Sequence, residues 1–145
     1  MKRIITASLT LILSLILLCA CVGPGASDWT YNELPGDYEI WRINSCSIVI
    51  GKSHGSALDN ALDDYIKAFC YNDDFIVVKA LKVDSSLSID EQKDIISKAE
   101  NAQYYIIDVQ TGKVSEPYDI WELSEVSAKL KVGKLCEWIE TDTLD

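Results

Sequence analysis

Beyond residue 27, three thiols, one imidazole, two acidic clusters and four indoles are the side chains of this sequence that could do chemistry. Cys46, Cys70 and Cys136 lie far apart, and none sits in C-x-x-C spacing. Neither a zinc ribbon nor a thioredoxin-like redox pair is indicated. If Cys46–Ile50 and Ile66–Cys70 pair antiparallel across the intervening loop, one register sets Ile50 opposite Ile66 and Ile48 opposite Ala68. The same register sets Cys46 opposite Cys70, within the reach of a disulfide. A Cys46–Cys70 bridge is one expectation, and a pair of small buried hydrophobes is the other. Cys136 stays free on either. His54 is the only histidine and sits in a Gly/Ser loop, with no nucleophile and orienting carboxylate beside it. It reads as a solvated loop residue. Asp59, Asp63 and Asp64 form one acidic cluster, and Asn72, Asp73 and Asp74 another. Both lack the D-x-D-x-D-G spacing of a calcium loop, so they read as a solvated edge and a turn. No catalytic residue, metal ligand or cofactor is assigned. Among the indoles, Trp41 and Trp138 fall in strand-like stretches and are expected in the core. Trp29 and Trp121 are the candidates for a binding surface, where aromatic side chains bury much area at small entropic cost.

The N-terminus carries a different chemistry. Met1-Lys2-Arg3 is followed by an uncharged, Leu/Ile-rich stretch from Ile4 to Leu18. That stretch has the length of a signal-peptide apolar region and falls short of the ~20 residues that span a bilayer. Leu18-Cys19-Ala20-Cys21 then resembles the bacterial lipobox, with Leu three places before the modified Cys and a small residue just before it. The resemblance implies cleavage after residue 20, diacylglycerol on the Cys21 thiol, and attachment to the membrane through that lipid. Cys19 fits the pattern badly, because Leu18 would then stand in the small-residue place. Val22-Gly23-Pro24-Gly25-Ala26-Ser27 reads as a flexible tether. The expected organisation is a leader over 1–20, a lipidated Cys with tether over 21–27, and one globular domain over 28–145.

Removing the leader leaves 125 residues, enough for one domain with a real core. Losing Lys2 and Arg3 takes the net charge from −10 to −12. A surface that negative argues against nucleic acid and against electrostatic binding of anionic headgroups.

The elements that must position these residues are mostly strands. Asp37 to Ile43 alternates polar and apolar with period two after the Pro35-Gly36 turn signal. Ser47–Ile50 reads as a more buried strand ended by Gly51. Tyr65–Tyr71 and Phe75–Val83 flank the turn-forming Asn72-Asp73-Asp74, which predicts a hairpin. Tyr104–Val109 is another strand, with Gly112 free to take positive φ in the turn after it. Two helices interrupt the pattern. Ser88 with Glu91 and Asp119 with Glu122 both have capping-box spacing. Ile89, Ile95, Ile96 and Ala99 stripe the first helix, while Ile120, Leu123, Val126 and Leu130 stripe the second. Gly133 is expected to end the second helix, and Leu135–Ile139 to form a last strand. The expected class is α+β, mostly β: an antiparallel meander sheet of five or six strands with two short helices.

With those residues placed, Asp37–Arg42, the Phe69–Ile76 hairpin, and Tyr104–Asp108 with Thr111-Gly112-Lys113 resemble a family of small bacterial lipoproteins. That family is catalogued only as a domain of unknown function. Ser115-Glu116-Pro117-Tyr118 departs from it, lacking a Gly before the Pro-Tyr pair. The resemblance implies fold and location and carries no catalytic residues. Two functional expectations follow. One is a non-enzymatic binding module on the outer face of the cell membrane, meeting an envelope protein or glycan. The other is an envelope hydrolase using a carboxylate pair that the sequence does not single out.

Overall fold

The computed structural model describes residues 29–130 and 137–144. The expected leader over 1–20, Cys21 with the expected tether over 22–27, Gly133, Leu135 and Cys136 lie outside the described residues. Local sequence chemistry fixes several turns directly. Asn72 Oδ1 accepts from the backbone N–H of Asp74 at 2.9 Å and of Phe75 at 2.7 Å. Those bonds close the hairpin between β5 (Tyr65–Tyr71) and β6 (Phe75–Leu81), in register from Tyr71↔Ile76 to Tyr65↔Leu81 with one slip between Ile66 and Ala68. Asp108 Oδ1 accepts from Thr111 N–H at 2.8 Å, and Gly112 takes φ +70°, so the chain reverses after β7 (Gln103–Asp108). It returns along β7 through isolated pairings of Val114 with Ile107 and Tyr118 with Tyr104.

Among the described residues two antiparallel four-stranded sheets result, where the sequence predicts one sheet of five or six strands. The first runs β1 (Thr30–Tyr31), β2 (Tyr38–Asn44), β3 (Ser47–Ser53), β4 (Leu58–Leu62) in chain order. The second runs β7-β6-β5-β8, where β8 (Ile139–Glu140) returns beside β5 as the fourth strand of a Greek key does. The mostly-β, α+β class stands. The difference lies in β4, and in β3 continuing through Gly51 to Ser53 rather than ending there. Tyr38, Ile40, Ile48 and Ile50 of the first sheet pack face to face on Ile66, Phe69, Ile76, Val78 and Ile107 of the second, forming the main core.

β6 and β7 are covered on both faces, which explains their near-continuous apolar runs. The outer face of the second sheet places Cys70, Val77 and Ile106 under Leu123 of the second helix. Both capping boxes form. Helix α1 (Ile89–Lys98) starts at Ser88, whose N–H donates to Glu91 Oε2 at 2.9 Å. Helix α2 (Ile120–Lys129) starts at Asp119, whose Oδ1 accepts from the N–H groups of Trp121 and Glu122, both at 2.8 Å. The apolar stripes are narrower than expected. Ile96 and Leu123 are the buried residues of their helices, while Ile89, Ile120 and Leu130 face solvent.

Asp119→Ala is expected to destabilise the protein by about 1 kcal/mol, because two helix N–H groups lose their acceptor. A urea melt checks this, and an unchanged midpoint would show that the cap contributes nothing to holding α2 on the sheet.

The Cys46–Cys70 bridge is not formed. β3 pairs with β4, setting Ile50 against Leu62, while β5 pairs with β6 and β8. The two sheets meet face to face instead of sharing a β3–β5 ladder. Cys46 therefore packs against the inter-sheet core, and Cys70 lies on the far side of the second sheet.

Candidate functional site

The aromatic residues separate into a core set and an outward set. Trp29, expected at a binding edge, is half-buried against the inter-sheet core, and its carbonyl accepts from Arg42 N–H at 2.9 Å. Its indole Nε1 and the neighbouring Arg42 Nε are buried without an acceptor among the described residues. Trp41, expected in the core, is half-buried on the outer face of the first sheet, with its indole N–H donated to Glu39. Trp138, also expected in the core, is 39 % exposed. It rests edge-on against Tyr104, with ring centroids 6.0 Å apart, on the α2 side of the second sheet. Trp121, the other surface candidate, is 79 % exposed. The reason is local: the Asp119 cap fixes where α2 starts, and helical periodicity then turns Trp121 away from Leu123 and Val126, which pack on the sheet. Two solvent-facing indoles thus stand on one side of the molecule.

A second feature lies at one end of the two-sheet stack. The β2–β3 turn, the β4–β5 link, the β6–α1 link and the first turns of α1 enclose a cleft of about 560 Å³. Asp63, Asp64, Ser45, Ser47, Cys46 and Gln92 are among the residues that line it. Tyr105 OH donates to Asp64 Oδ2 at 3.0 Å and lies 3.2 Å from Gln103 Oε1. Burial, and then the Asp64 carboxylate, push the Tyr105 hydroxyl up to about 12, so it remains a donor throughout the physiological range. Sequence reading takes Asp63 and Asp64 for a solvated edge. Their partners come from four separated segments, and no spacing along the chain announces that meeting.

The same topology separates the remaining chemical groups. His54 is exposed in the turn between β3 and β4, where its N–H donates to Ala57 O at 2.8 Å. Cys46 precedes β3 and His54 follows it. Seven extended residues at ~3.3 Å each hold the thiol and imidazole roughly 20 Å apart. Asp73 and Asp74 occupy the β5–β6 turn. Among the described residues no three His, Cys, Asp or Glu side chains cluster as metal ligands do.

Fold and surfaces together define a small, mostly-β domain of two packed sheets, with a polar cleft at one end and an aromatic face on one side. The chain belongs to the family described as protein of unknown function (DUF3997), whose model matches residues 35–142 and so takes in everything from β2 to β8. No curated protein and no solved structure matches it significantly.

Proposed function

We propose that this protein is a lipid-anchored, extracytoplasmic binding module of a bacterial cell envelope, without enzymatic activity of its own. The lipobox-like Leu18-Cys19-Ala20-Cys21, at the end of a leader with a basic start and an uncharged apolar stretch, supports the anchor, and the Val22–Ser27 tether gives the domain reach. Among the described residues no helix is long and apolar enough to cross a membrane. The observation that carries the binding reading is the pair of solvent-facing indoles, Trp121 and Trp138, on the α2 side of the second sheet. Exposed Trp is costly to leave in water and is a preferred anchor in interfaces, whether with a protein or with the face of a sugar ring.

Two experiments test this. Cys21→Ser should abolish incorporation of labelled fatty acid and leave uncleaved precursor, whereas Cys19→Ser should leave both steps intact. Label retained in the Cys21 variant overturns the anchor. Capture from envelope extracts should yield a specific protein or glycan that is lost on Trp121→Ala with Trp138→Ala. Turnover of envelope glycans or peptides by the purified protein, abolished by mutating one acidic pair, would replace binding with hydrolysis.

A further inference from the structure

The cleft at the end of the sheets is a different surface from the aromatic face, and its chemistry is more specific. Its volume falls within the ~300–1,000 Å³ of small-molecule sites. Of the described residues that line it, the charged ones are Asp63 and Asp64, with no Lys, Arg or His among them. Asp64 is half-buried, and Tyr105, a neutral donor, holds its Oδ2. Asp63 meets Asn60 Nδ2 at 3.4 Å. The ion pairs among the described residues are Lys67–Asp142 and Lys98–Asp94, so no described Lys or Arg pairs with either cleft carboxylate. A partly buried carboxylate without a countercharge gains most from a cationic partner that brings hydrogen-bond donors. Beside the carboxylates, Val83 and Ile89 add an apolar wall, and Ile89 is 62 % exposed although it belongs to the apolar stripe of α1. The net charge of −10 over the whole chain draws cations and repels anions at long range.

The geometry points to a binding site for a small organic cation: a protonated primary amine facing Asp64 and Asp63, with an apolar arm lying on Ile89 and Val83. Its three N–H donors suit the carboxylates and the Ser45 and Ser47 hydroxyls around them. Inorganic cations lack the apolar arm, and anions meet two like charges.

Cys46 lines the cleft, so its thiol reports occupancy. The full-length protein is purified from membranes in detergent and alkylated with N-ethylmaleimide. The modification rate at the Cys46 peptide is followed by mass spectrometry, apart from the Cys70 and Cys136 peptides. Phenethylamine should slow alkylation of Cys46 several-fold. Phenethyl alcohol, of the same shape without the charge, and hydrocinnamate, of opposite charge, should not. Asp64→Asn keeps an oxygen to accept from Tyr105 and so keeps the fold. It should weaken protection by phenethylamine about tenfold, the scale of one charge-assisted hydrogen bond. Ile89→Ala, at an exposed helix position, should weaken it less. Asp142→Asn, which removes a carboxylate outside the cleft, should leave it unchanged. Equal protection by the alcohol and the amine overturns the cation assignment, and so does protection by none of the probes. Either outcome leaves partner capture through Trp121 and Trp138 standing, because that surface lies elsewhere.

Discussion

Phe69→Ala is expected to cost about 3–5 kcal/mol, the range for removing a fully buried aromatic ring and leaving a cavity. Phe69 is 0 % exposed, at the middle of β5, the strand on which the molecule converges. Its backbone lies opposite Val78 of β6 on one side and Ile139 of β8 on the other. Its ring meets Tyr31 edge-on with centroids 4.9 Å apart and stacks on Tyr71 at 6.4 Å. Tyr31 belongs to the first sheet and Tyr71 to the second, and their hydroxyls are hydrogen-bonded at 2.9 Å. One ring therefore joins both sheets and the returning C-terminal strand. A domain of this size has roughly 5–15 kcal/mol of stability in all, so the loss should take the protein close to its folding threshold. A urea melt should show a much lower midpoint with an unchanged slope. Phe69→Leu, which fills part of the space, should recover more than half of the difference. A loss below about 1 kcal/mol for the alanine variant would mean that the sheets collapse around the cavity, and that Phe69 does not join them.

Features set by a few neighbouring residues were legible in the sequence. Asn72-Asp73-Asp74 makes its turn with its own side chain, Ser88/Glu91 and Asp119/Glu122 satisfy their own helix ends, and Gly112 adopts the positive φ expected of it. Features set by distant partners were not legible. Leu58-Asp59-Asn60-Ala61-Leu62 has no β-branched residue and no clean alternation, yet it is a strand because β3 offers it an edge. Without that strand, the Cys46–Cys70 register looks like a natural hairpin. Trp138 has a strand-like sequence context, but β8 is two residues long, and the indole lands on Tyr104 at the surface. The cleft had no signal at all. Asp63 and Asp64 acquire their meaning only when the β2–β3 turn and α1 arrive from either side.

Gly51→Ala is expected to destabilise the protein by about 1–3 kcal/mol, by overpacking and not by backbone strain. Gly51 is buried inside β3, and its φ lies outside the left-handed region, so an alanine can adopt its conformation. Space is the constraint. A Cβ there would run into the carbonyl oxygen of Asp59, and would come 2.7 Å from that carbonyl carbon and 2.9 Å from Asn60 Cα. All three are backbone atoms of β4, which cannot rotate aside as a side chain would. The approach is close because the register slips here: Ile50 lies opposite Leu62 and Gly51 opposite Asn60, with Ala61 left over as a bulge. Alanine must therefore push β4 outward. Replacing a strand glycine by alanine would return only about 0.5–1 kcal/mol through lower chain entropy in the unfolded state. Gly55 provides the contrast, since it sits at φ +75° with no atom of the described residues within 4 Å of where a methyl would stand, so conformation is what opposes Gly55→Ala. Hydrogen exchange should localise the Gly51→Ala effect, with faster exchange at the β4 amides and little change in β6 and β7. Because β4 leads directly into Asp63 and Asp64, the same variant should weaken protection of Cys46 by phenethylamine. A melt within about 0.5 kcal/mol of the unsubstituted protein, with β4 exchange unaltered, would show that β4 does not approach β3 as closely as this bulge requires.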